Sequence, residues 1–179
     1  MKKLLVIDLD QTVIDSSIRE NECYPNGSLC LDTYKQVKTC PNNGIVNDCL
    51  TPFGEWLKVN YQSLLANNYT IVFLTARLCD IWDLDSFKKL GIANMLTIDC
   101  LTIDRSVAKL YGGNPSEQDS GKYKKPILWY LCNVYRTYDL TIVDDCIKVL
   151  DMAKAQGFDA ICARELYHYK EVDFDNLFI

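Results

Sequence analysis

The chain has 179 residues, 49% of them hydrophobic and 24% charged, which suits one globular domain with a real core. A formal net charge of −5 argues against a general nucleic-acid coat or a binder of anionic membranes, since both need a net basic surface. No apolar run reaches the length of a membrane span, and Asp8 cuts the stretch after Lys3 too early for a signal peptide, so the nine cysteines are expected to be mostly free thiols in a cytoplasmic protein.

Residues 3–8 (KLLVID) read as a strand buried on both faces of a parallel sheet. Residues 15–50 lose any sustained period and read as an irregular insertion or flap, with a turn at Pro25-Asn26-Gly27. Cys23, Cys30, Cys40 and Cys49 fall there without a C-x-x-C pair; incidental thiols are the main reading and a zinc site the minor one. Thr51-Pro52 opens a helix to about Asn67, with Trp56, Leu57, Leu64 and Leu65 as its buried stripe. TIVFL (70–74) is a second buried strand, ending at Thr75-Ala76-Arg77. A helix over 80–90 stops at Gly91, a strand is expected near 95–101, and 112–121 is a loop. A helix is expected from about 124 to 136, with Pro126 in its first turn. LTIV (140–143) is a strand running into Asp144-Asp145, a helix over 146–156 closes at Gly157, and 158–163 is the last strand. The tail from 164, with the lone His168, has no functional reading.

Strands alternating with helices predict a single doubly wound, Rossmann-like α/β domain over 1–179: a parallel sheet flanked by helices. Sites in such sheets form at the carboxyl ends of the strands. Three polar clusters stand at such ends: Asp8 with Asp10, Thr75, and Asp144 with Asp145. Any one of these acids would serve as a helix N-cap. Four of them at the ends of two apolar strands repel one another, and a cation is needed to offset that. Oxygen ligands without a His or Cys cluster favour a hard ion, Mg²⁺ above all. A Mg²⁺ site with a spare carboxylate suits phosphoryl transfer, with a strand-end hydroxyl at Thr75 and a lysine to complete it.

This set resembles the haloacid dehalogenase (HAD) phosphohydrolase superfamily. Its D-x-D-x-T motif after an apolar strand is matched by VIDLDQT, with Gln11 where a glycine is common. VFLTAR supplies the second motif and IVDDC the acidic fourth. The resemblance implies that Asp8 is the nucleophile and forms an aspartyl-phosphate, and that Asp10 is the general acid and then base. It implies that Asp8, the Asp10 carbonyl, Asp144 and Asp145 hold Mg²⁺, and that Thr75 binds the phosphoryl group. The third-motif lysine is Lys124 or Lys125. Lys124-x-x-Ile127-x-Trp129 is similar to the 3′-phosphatase domain of bacteriophage polynucleotide kinase, and on that match Arg77 contacts substrate; an ordinary ion-paired arginine is the equal alternative. The chain has no P-loop, hence no kinase half. The implied partner is a phosphorylated substrate, a nucleotide or a 3′-phosphate nucleic-acid end, beneath a small lid rather than a full cap, with no membrane and with the oligomeric state open. A retired HAD scaffold used for binding, and a HAD phosphatase for other small phosphorylated metabolites, are the alternative readings.

Overall fold

The computed structural model describes residues 1–18, 31–38, 44–168 and 173–178. Five strands, β1 (Lys3–Ile7), β4 (Tyr69–Leu74), β5 (Leu101–Ile103), β6 (Asp139–Asp144) and β7 (Asp159–Cys162), form one parallel sheet in the order β5-β4-β1-β6-β7. Two short strands, β2 (Ile14–Asp15) and β3 (Cys49–Leu50), pair antiparallel at the base of the insertion. The helices are α1 (Leu31–Lys38), α2 (Pro52–Ala66), α3 (Ile81–Leu90), α4 (Ser120–Val134), α5 (Ile147–Lys154), α6 (Ala163–His168) and α7 (Phe174–Phe178). No described helix is long and apolar enough to cross a membrane.

The apolar strands explain the layering. Leu5, Ile7, Ile71, Phe73 and Val143 point to one face, where they meet Phe53, Leu57 and Leu64 of α2, Phe87 of α3 and the tail helices. Leu4, Val6, Val72, Leu74 and Ile142 alternate to the other face, against Tyr123, Ile127, Leu128 and Leu131 of α4 and Val149, Leu150 and Ala153 of α5. The central strand β1 is therefore apolar on both sides, as a parallel sheet between two helix layers requires. Its chain neighbours lie to one side (β4, then β5), and the chain then crosses through α4 to β6 and β7 on the other. That reversal beside β1 is the switch point at which α/β sheets form their sites.

Local chemistry sets the helix ends. Thr51 caps α2 through a bond from the Gly54 N–H (2.8 Å), and Asp80 caps α3 in a reciprocal box with Asp83. Gly91 ends α3 in the left-handed region, at φ 75°. Three expectations are corrected. The run at 95–101 begins as a helical turn (Met95–Asp99) and becomes strand only at Leu101–Ile103, since a short apolar run does not declare its type. α4 begins four residues before the expected start because Asp119 caps it, accepting from the Lys122 N–H, so Pro126 lies in its second turn. The insertion holds a helix, α1, where an irregular path was expected. The turn at Pro25-Asn26-Gly27 and Cys23, Cys30 and Cys40 lie outside the described residues, as does the side chain of His168. The six described cysteines are free thiols, Cys49 among them. The tail is part of the core: Phe174 and Phe178 pack on Phe53 and Trp56, and the Trp56 Nε1–H donates to Asp175 (2.8 Å).

Gly54 sits where α2 presses on the turn after β1, and a Cβ there would drive into the Val13 carbonyl oxygen. Gly54→Ala is expected to lower unfolding free energy by about 2 kcal/mol or more, as overpacked sites do, measured by urea denaturation. A loss under about 0.5 kcal/mol, the range of ordinary surface changes, would contradict this packing.

Candidate active site

β1 ends at Ile7, level with Phe73 of β4 and Val143 of β6, so the next residue, Asp8, comes out beside Asp144. The Asp8 N–H still pairs with the Val143 carbonyl (3.0 Å), which holds the acid at the sheet edge. The chain then turns tightly, with the N–H groups of Thr12, Val13 and Ile14 all directed at the Leu9 carbonyl. Gln11 occupies that turn with φ 58°. A side chain in this region costs about 1 kcal/mol or more, which explains in physical terms why glycine is common at this point of the motif.

Carboxylate oxygens of Asp8, Asp144 and Asp145 lie within 4.8 Å of one another. The Lys124 Nζ stands between two of them, 2.8 Å from Asp8 Oδ1 and 2.7 Å from Asp144 Oδ2. The other oxygen of Asp144 accepts from the Cys146 N–H (2.9 Å), and Asp145 is met by Arg164 of α6 (3.2 Å). Asp8, Asp144 and Lys124 are all buried. Burial raises the Asp8 carboxyl well above the usual carboxylate range; Lys124 opposes this, while Asp144 and Asp145 add to it. Burial and the neighbouring Asp144 also raise Asp145. Burial works to lower the Lys124 ammonium, but Asp144 and Asp8 outweigh it and keep that group charged.

Of the two candidate lysines, the structure brings Lys124 into the cluster. Lys125 lies about 100° further round the helix. It is exposed and lines a 550 Å³ apolar groove with Pro126, Trp129 and Met152 between α4 and α5. That corrects the inclusion of Lys125 among the catalytic candidates. Arg105 fixes the approach to α4: its guanidinium bonds the carbonyls of Ala76, Pro115 and Glu117 and lies over the Tyr123 ring, 4.7 Å from its centroid.

Thr75 is fully buried at the end of β4; its Oγ1 accepts from the Arg77 N–H (3.0 Å). The Asp10 side chain lies outside the three-carboxylate cluster and pairs with Arg77, whose Nε donates to Asp10 Oδ2 (3.2 Å). The same guanidinium bonds Asp48 (3.1 Å) and Asp83 (3.1 Å), and its side chain is 0% exposed. The substrate contact expected of Arg77 is therefore not what this arrangement presents; the ion-paired alternative describes it. Asp48, Asp83, Arg105 and Arg164 were not singled out in the sequence. Asp48 and Arg164 come from the insertion and the tail, which carried no periodic signal, and Asp83 and Arg105 read as ordinary helix and loop charges.

The donor set fits a divalent cation. Three carboxylates meet one buried ammonium, Lys124, and one largely exposed guanidinium, Arg164, so the site stays net negative and offers oxygen ligands alone. Asp8, Asp144 and Asp145 are the residues that would hold Mg²⁺.

Comparison with known proteins agrees with this fold and places the chain in a family. A haloacid dehalogenase-like family hydrolase from Streptococcus pneumoniae shares the fold, with a TM-score of 0.54 at 14% identity over 90% of this chain and 84% of its own. The fold is thus a HAD-like α/β fold, here with an acidic cluster at its switch point. More narrowly, the profile of the bacteriophage T5 5′-deoxynucleotidase family matches residues 1–177, and the chain belongs to that family. The 5′-deoxynucleotidase of Escherichia phage T5 is 26% identical over 170 residues, 92% of this chain and 68% of the relative.

Removing Lys124 leaves its carboxylates unscreened. Lys124→Met is expected to cost about 3–5 kcal/mol in metal-free protein, the range for breaking a buried pair, while Lys125→Met stays within about 0.5 kcal/mol. Guanidinium unfolding of both variants checks this; equal effects would contradict the placement. The raised carboxyls also set a pH slope. A folded-state pKa above the unfolded value of about 3.9 means that the native state binds the extra proton, so stability falls as pH rises from there through the raised pKa. In EDTA, Tm measured at successive pH values is expected to decline less steeply for Asp8→Asn than for the natural protein; a steeper decline would contradict the shift.

Proposed function

We propose that the protein is a Mg²⁺-dependent phosphomonoesterase that works through an aspartyl-phosphate on Asp8, with deoxynucleoside 5′-monophosphates as its substrates. The observation that carries this reading is the cluster of Asp8, Asp144 and Asp145, with Lys124 between the first two, which remains net negative. Family membership and the activity named for the T5 relative support the substrate.

The residues divide the work as follows. Lys124 orients Asp8 and opposes the burial that disfavours its charge. An Asp8 oxygen forms a bond to phosphorus as the ester oxygen leaves, and Asp10 gives that oxygen a proton. Water then attacks phosphorus, Asp10 takes its proton, and the Asp8–phosphate bond breaks to release inorganic phosphate. Thr75 contributes its hydroxyl to the phosphoryl oxygens from the end of β4, and Asp144 and Asp145 would hold Mg²⁺ together with Asp8 and the Asp10 carbonyl. When bound, Mg²⁺ supplies charge neutralisation for the phosphate.

Hydrolysis of 5′- and 3′-nucleotides, 3′-phosphorylated oligonucleotides, sugar phosphates and an aryl phosphate, with Mg²⁺ and with EDTA, tests the reading. Deoxynucleoside 5′-monophosphates are expected to be turned over with Mg²⁺ alone, and Asp8→Asn to lose on the order of 10³-fold or more in kcat, as loss of a nucleophile does. Activity undiminished in Asp8→Asn rejects the nucleophile. Preference for 3′-phosphate ends, the branch whose lysine spacing picks out Lys124, would replace the substrate and keep the class.

A further inference from the structure

We propose that Asp48, just before the returning strand β3 of the insertion, is a positioning residue for proton transfer: acting through Arg77, it fixes where the Asp10 carboxyl points. The proposal rests on the phosphatase reading above. Arg77 follows β4, and its Nη2 donates both to Asp10 Oδ1 and to Asp48 Oδ2, the latter at 3.1 Å. One nitrogen thus links the group that serves the substrate to a residue 38 positions further along the chain, in the insertion. Nη1 donates to Asp83 (3.1 Å), whose other oxygen accepts from the Asp80 N–H in the α3 cap, so the far side of the guanidinium is anchored to a helix end.

Exposure separates the three acids. The side chains of Asp83 and Asp48 are 0% and 2% exposed, whereas that of Asp10 is 19% exposed, the one that reaches solvent and hence substrate. Three carboxylates around one arginine carry more negative charge than satisfying that arginine needs, and burying them costs stability. What the arrangement provides is direction: a planar fork held at two points has one orientation left for the third.

The mounting of Asp48 fits this role. It ends the turn Ile45–Asn47, its N–H bonded to the Ile45 carbonyl (3.2 Å), just before β3 pairs with β2. α3 grips the same turn: Ser86 Oγ donates to the Ile45 carbonyl (3.4 Å) and Lys89 Nζ to the Val46 carbonyl (2.6 Å). On the other side of β3, the Thr51 hydroxyl donates to the Thr12 carbonyl (2.7 Å), in the turn that carries Asp10. The root of the insertion and the acid are therefore fixed to each other twice, once through the Thr51 hydroxyl and once through Arg77.

Leaving-group dependence of kcat/KM tests the proposal, since that ratio reports only the steps up to departure of the leaving group. A nucleoside 5′-phosphate must expel an alkoxide and needs the Asp10 proton; an aryl phosphate with a stable phenolate does not. Asp48→Ala is expected to lower kcat/KM for the nucleotide by on the order of 10- to 100-fold, the effect of a misplaced catalytic group, and for the aryl phosphate by less than about threefold. Arg77→Lys, which keeps the charge but loses the fork, should show the same split and carries the test if Asp48→Ala does not fold. An equal fall on both substrates, or no fall on the nucleotide, overturns the proposal. Asp8→Asn must abolish turnover of both; if it does not, the phosphatase reading has failed and not the role of Asp48.

Discussion

One ammonium makes the site possible. Lys124 Nζ lies within 2.8 Å of Asp8 and 2.7 Å of Asp144, and without it two buried carboxylates would face each other across the switch point of the sheet. Such a pair would protonate or force the strands apart. The fold is arranged to deliver that charge: Asp119 caps α4, Arg105 ties the preceding loop to Ala76 and stacks on Tyr123, and Ile127 and Leu128 bury the helix face that points Lys124 inward. The same contacts leave an excess of negative charge that suits a divalent cation, so stability and chemistry share one electrostatic balance.

A second balance lies a few residues away. Around Arg77 the acids outnumber the cation as well, yet there the guanidinium is wholly enclosed and its partners come from three separate parts of the chain. The first cluster stays net negative around Lys124 and opens to one side through Asp145; the second encloses Arg77 on three acids and so fixes a direction. Two carboxylates of one D-x-D motif, Asp8 and Asp10, thus enter opposite environments because successive positions of the turn after β1 face different neighbours.

How much of this could be read from the sequence follows from the range of each interaction. Asp8, Thr75, Asp144 and Asp145 were legible because each ends an apolar strand, and a parallel sheet gathers strand ends at one edge. Between Lys124 and Lys125 the one sequence signal was the spacing from Lys124 to Ile127 and Trp129; the helix start was misplaced, because Pro126 suggested a start near 124, whereas the cap is Asp119. The run at 95–101 was misread because a handful of apolar residues fits a helical turn as well as a strand. The partners of Arg77 stand 67 and 29 positions away in Asp10 and Asp48, and no local pattern announces such pairs.

The most direct measurement of the central claim is an anomalous difference map from crystals soaked in Mn²⁺ as a stand-in for Mg²⁺. The account predicts one peak, at the carboxylates of Asp8, Asp144 and Asp145 beside Lys124. A map with no peak there, or with its peak on acids elsewhere on the molecule, would contradict it.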